Sequence, residues 1–325
     1  MVSLSETTLI DVATRVVGDY LGLKAHESFL LVTDAGVDHE VSRALVEAAQ
    51  VVGSDPTHAW IPSRATSGDD PPPAVAAAMA AVDVCLCVAS RSIYHTRAAG
   101  AAKAAGTRGC FNGPASLDAW TKGAMTADFW EIRIVAERLA DRLRRAQWMR
   151  VTSPAGSDVT CCTGSREPKG WYTGIVRNPG EVTALPGGEV SFPPLEGTAQ
   201  GVIVFEKVVT DLGLISEPIT IRVEDGLAVA IEGGDDARRL RDLIDGVPFA
   251  TNIGELGIGL NPVARIGADI TETKKRHGTA HMALGDSAGG YGGTVDSPVH
   301  LDGMLFDVTI SADGEVIVEE GRLLL

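Results

Sequence analysis

The feature that most constrains this chain is a change of period near residue 150. Before it, short apolar runs alternate with alanine-rich stretches of helical spacing. Ser28–Thr33, Thr57–Ile61, Val82–Val88 and Gly109–Phe111 read as strands. Helices are expected over Val41–Val52, Ala74–Ala81 behind Pro73, Thr96–Ala105 and Trp130–Arg150. Strands separated by helices of this length pair in parallel with right-handed crossovers. After residue 150 the apolar period falls to two. Glu189–Phe192, Gly201–Glu206, Ile219–Gly226, Leu227–Glu232, Met304–Ile310, Glu315–Glu319 and Arg322–Leu325 read as strands joined by glycine turns, with one clear helix at Asp235–Ile244. The expected architecture is a Rossmann-like α/β domain with a parallel sheet over 1–150. A mixed, strand-rich α+β domain over 151–325 carries the chemistry.

Charge and composition exclude several classes. Asp and Glu number 43 against 28 Lys and Arg, a formal charge of −15. A phosphate backbone is repelled by such a chain, so no nucleic-acid partner is expected. The N-terminus has no basic, then apolar, leader pattern, and no stretch is long and apolar enough for a membrane span, so no membrane partner is expected. The five cysteines are odd in number and show no CxxC spacing, which argues against a disulfide framework or thiolate zinc and for a reducing cytoplasmic setting. Neither GxGxxG nor GxxxxGK[ST] follows a strand in the first half, so its glycines do not announce a nucleotide site.

Residues that could carry chemistry gather between 189 and 302. In His300-Leu-Asp302 on a strand, side chains two apart face one side, so imidazole and carboxylate converge, as ligands of a divalent metal or as a buried ion pair. Glu255, in Gly254-Glu-Leu-Gly-Ile-Gly-Leu-Asn261, is a carboxylate among glycines and apolar groups and needs a partner if buried. His281, in Gly278-Thr-Ala-His-Met-Ala-Leu-Gly285, reads either as a core histidine or as a ligand. Glu189, in Pro186-Gly-Gly-Glu-Val190, reads as a turn acid or a ligand. Carboxylates with imidazoles favour hard or borderline divalent ions over thiolate-seeking ones.

These four segments, in this order, resemble the thermophilic metallo-aminopeptidase family of the aminopeptidase T and S type, and the likeness extends through most of the chain. The resemblance implies Glu189, Glu255, His281, His300 and Asp302 as ligands of two ions (zinc, cobalt or manganese). It implies metal-activated water attacking a small amide or short peptide, Glu189 or Glu255 in the catalytic step, and a homodimer. The family tyrosine falls at Ala288, so Tyr291 becomes a candidate stand-in near the substrate, and Arg166 a candidate clamp for a substrate carboxylate. The same superfamily includes 2,5-dihydroxypyridine 5,6-dioxygenases, in which two histidines and an aspartate hold one iron(II). By that resemblance His281, His300 and Asp302 form the triad, although histidine is expected where Glu255 stands. A third reading is a metal-stabilised binding protein without turnover. The hydrolase is the leading expectation and the dioxygenase its alternative.

Overall fold

The computed structural model describes residues 8–168, 172–267, 269–288 and 292–325. It divides into two compact units. One comprises Met1–Trp130 with Trp171–Gly187, the other Glu131–Gly170 with Gly188–Leu325. Instead of one crossing at residue 150, the chain returns to the first unit. There Val182–Thr183 adds a fifth strand parallel to Arg108–Gly113.

The first unit holds a wholly parallel sheet in the order Pro56–Ile61, Phe29–Asp34, Val84–Val88, Arg108–Gly113, Val182–Thr183. Every residue of Phe29–Asp34 and of Val84–Val88 is buried, as expected of strands covered on both faces. Helices Pro73–Met79 and Arg97–Ala105 pack with them around Leu30, Val32, Cys85, Cys87 and Phe111. Thr96 caps the second of these by accepting from the Ala99 N–H. All five cysteines are free.

The second unit is built on two antiparallel sheets. An eight-stranded sheet runs Leu227–Glu232, Ile219–Glu224, Gln200–Phe205, Asp158–Cys162, Trp148–Thr152, Thr309–Ala312, Glu315–Glu319, Arg322–Leu323. A six-stranded sheet runs Gly213–Leu214, Val208–Val209, His300–Leu305, Ala280–Gly285, Ile253–Gly259, Glu189–Phe192. Two sequence expectations need correction. The helix from Trp130 stops at Leu143 instead of Arg150. A turn at Arg144–Ala146 follows, and Trp148–Thr152 becomes a central strand, where alternation of buried Met149 and Val151 with exposed neighbours outweighs the basic helical stripe. Met304–Ile310 is two strands rather than one, because Asp307 takes a left-handed conformation (φ 49°) and sends the chain from one sheet to the other. Among the described residues no helix is long and apolar enough to cross a membrane.

Candidate metal centre

Cross-strand register places the candidate residues. In an antiparallel sheet, directly paired residues share a face, and so do residues two apart. Gly259 pairs with Glu189, and Ser191 pairs with Gly257, which pairs with His281. Glu255 pairs with Ala283, which pairs with Asp302; Gly285 pairs with His300. All five expected ligands therefore lie on one face of the six-stranded sheet. Glycine or alanine stands beside each large polar side chain. The glycines make room: a Cβ on Gly257 would lie 2.1 Å from Cε1 and 2.2 Å from Nε2 of His281. Cis-linked Pro186 and left-handed Gly188 (φ 132°) lead into the Glu189 strand, where a Cβ on Gly188 would meet Asn261 at 2.7 Å.

Three ligand atoms converge. Nε2 of His300 lies 3.1 Å from Oε2 of Glu255 and 3.4 Å from Oδ1 of Asp302. One ligand atom from each residue lies within 4.8 Å of the others. Metal–ligand bonds of ~2.1 Å at octahedral to tetrahedral angles space donor atoms ~3.0–3.4 Å apart, so these separations suit an ion. The His300 Nδ1 lies 2.8 Å from the Asp286 carbonyl, which can only accept. Nδ1 therefore carries hydrogen, and Nε2 faces the carboxylates with the geometry of a metal ligand. Burial pulls the His300 imidazole down, but the Asp302 charge and the hydrogen bond to Glu255 push it up to about 10. Burial alone would raise the Asp302 and Glu255 carboxyls. The Lys274 charge and the neighbouring imidazoles overcome this and hold both below the usual carboxylate range.

Two further residues converge without joining that triad. Nε2 of His281 lies 3.6 Å from Oε2 of Glu189 and 3.6 Å from Oε2 of Glu255. Glu189 Oε2, Glu255 Oε1, Asp302 Oδ1, Ser191 Oγ and both His281 ring nitrogens are buried without a hydrogen-bond partner among the described residues. Unpaired buried polar atoms are costly, and a cation among these donors would satisfy several at once. The residues present fit a divalent ion.

The Lys274-Lys275 pair, after the Ile270–Thr273 helix, was not singled out from sequence, where a run of charge reads as solvated. Lys274 Nζ lies 3.0 Å from Asp302 Oδ2 and 4.0 Å from Glu189 Oε2. Lys275 Nζ lies 2.5 Å from Glu189 Oε1. Burial lowers the Lys275 ammonium despite the opposing pull of Glu189. Ser191 was also missed, since only the register reveals that it shares the His281 row.

Among the described residues, the polar contacts of Arg166 go to groups other than the five candidate ligands. It donates to the Pro193 and Pro194 carbonyls and pairs with Glu196, which accepts from the Thr294 N–H and hydroxyl. That arginine is a strap between loops. Tyr291 lies outside the described residues, and Ala288 at the family's tyrosine position donates its N–H to Asp286 Oδ1.

The comparisons with known proteins correct the leading expectation. A family model of 2,5-dihydroxypyridine 5,6-dioxygenase matches residues 15–325. The 2,5-dihydroxypyridine 5,6-dioxygenase of Pseudomonas putida KT2440 is 29% identical over 198 residues, 56% of this chain and 55% of that protein. By sequence, then, the match spans about half the length of that curated relative. Among solved structures, 2,5-dihydroxypyridine dioxygenase from Pseudomonas putida KT2440 superposes with a TM-score of 0.79 at 21% identity, covering 99% of this chain and 98% of that one. Wild-type AmpT from Thermus thermophilus superposes with a TM-score of 0.70 at 16% identity, covering 98% and 99%. The AmpT likeness shows a shared fold. The hydrolase reading is overturned by the family match, with which the curated relative agrees. The chain belongs to the 2,5-dihydroxypyridine 5,6-dioxygenase family.

Proposed function

We propose that this chain is a ring-cleaving dioxygenase for a small dihydroxylated nitrogen heteroaromatic, using one divalent ion, iron(II), held by Glu255, His300 and Asp302. The observation that carries the reading is the convergence of those three ligand atoms in a chain of this family. The set departs from the two-histidine, one-carboxylate arrangement associated with non-haem iron oxygenases, because Glu255 takes the place expected of a second imidazole. Bound iron(II) would supply the redox partner that lets O₂ react with the ring.

The protein's own groups do the rest. Glu255 and Asp302, held below the usual carboxylate range, are charged and ready as ligands at neutral pH. His300 is aimed by the Asp286 carbonyl. Lys274 offsets part of the carboxylate charge beside Asp302. His281, fully buried beside Glu255, is the group placed to accept the proton that a ring hydroxyl releases. The test is reconstitution of metal-free protein with iron(II) under anaerobic conditions, followed by aerobic addition of 2,5-dihydroxypyridine. The expected outcome is loss of the ring's absorbance, abolished together with iron retention in His300→Ala and Asp302→Ala. Variants that keep both iron and turnover would refute the ligand assignment.

A further inference from the structure

We infer that Lys274 and Lys275 stand in for a second metal ion and thereby hold this centre to one. The inference rests on the metal-centre reading above and adds what sets the number of ions. The same sheet face carries the makings of a second ligand set. Glu189 Oε2 and Glu255 Oε2 each lie 3.6 Å from Nε2 of His281. Glu189 Oε2, Glu255 Oε1 and His281 Nε2 are buried without a hydrogen-bond partner among the described residues. Glu255 would be shared between the two sets, as a bridging carboxylate is in two-metal sites.

The lysines close that option. Lys275 Nζ sits 2.5 Å from one Glu189 oxygen, and Lys274 Nζ lies 4.0 Å from the other and 3.0 Å from Asp302. Neither ammonium can leave for bulk water without opening the site, since the two side chains are only 14% and 3% exposed. Charge decides the rest. The cluster holds three carboxylates, Glu189, Glu255 and Asp302, and two ammoniums, which together carry the charge of one divalent ion. One bound ion leaves the cluster one charge from neutrality. A second would leave three positive charges without counter-ions in a buried site, which low-dielectric surroundings penalise heavily. With the ammoniums removed, two ions would instead leave a single positive charge.

The experiment counts ions rather than turnover. Metal-free wild type, Lys274→Met/Lys275→Met, and that double variant with Glu189→Gln added are dialysed against manganese(II) alone, and bound metal per folded chain is measured. The expected counts are one, two and one. A wild type that binds two ions overturns this inference and leaves the metal centre standing. A folded double variant that still binds one overturns it as well. A wild type that binds none removes the metal centre itself and this inference with it. Because the double variant can fail to fold, Glu189→Gln alone, which keeps both lysines, is titrated in parallel. Glu189 committed to Lys275 predicts manganese affinity close to wild type, whereas a loss of about tenfold or more, the size typical of disturbing a site's ligands or their supports, would overturn the assignment.

Discussion

Gly257 shows how single residues shape the centre. Its missing side chain is the space the His281 ring fills, with a hypothetical Cβ only 2.1 Å from the imidazole. Gly257→Ala must therefore displace the ring, at an overpacking cost of about 1–3 kcal/mol. Thermal melts should show that cost largely disappearing when His281→Ala is added, since the two changes share one cavity; a cost that persists unchanged would mean the strain lies in the backbone. His300 makes a second prediction. Without metal its imidazole is pushed up to about 10, so it carries a proton that an ion must displace. Ion affinity should rise with pH, by about tenfold per unit while that proton is the one released. Manganese titrations between pH 6 and 8 check this, and a flat profile would contradict the role of His300 as a ligand.

Among the elements, the strap formed by Arg166 and Glu196 supports the loops on either side of Pro193 and Thr294. Burial tends to raise the Glu196 carboxyl, but hydrogen bonds from Thr294 and Arg166 bring it down to about 2. A carboxyl depressed on folding adds stability above its unfolded value and loses it as pH falls toward the folded one. Glu196→Gln should therefore lower stability at pH 7, on the order of 2 kcal/mol. Wild type and variant should draw together between about pH 4.5 and 2. Chemical denaturation across that range measures it, and a gap constant with pH would rule out the strap's charge as the cause.

The elements also show how much could be read in advance. The His300–Asp302 spacing, the isolated Glu255 and the parallel first sheet were legible, because periodicity and burial logic act locally. The pairing of Glu189 with Lys275 was not, since it depends on a register spanning about 85 residues of chain. Ile253–Gly259, with three glycines, and Ala280–Gly285, with one at its end and two alanines, hide their strand character in composition that ordinarily weakens strands. Their glycines answer to the rings and carbonyls beside them, which only the folded sheet supplies.

At the scale of the whole molecule, one fold serves more than one chemistry, so the fold alone does not choose a reaction. The five residues expected as ligands of a two-ion hydrolase lie on one sheet face, yet the family is that of the dioxygenases. Lys274 and Lys275, which pair with Asp302 and Glu189 on that face, are the groups inferred above to limit the centre to one ion. The most direct test is an oxygen-electrode measurement on iron(II)-loaded protein given 2,5-dihydroxypyridine, read beside ring consumption and repeated with Asp302→Ala. The account predicts one O₂ taken up for each ring lost, and neither change in the variant. Ring loss that proceeds without oxygen uptake, or undiminished uptake in Asp302→Ala, would contradict it.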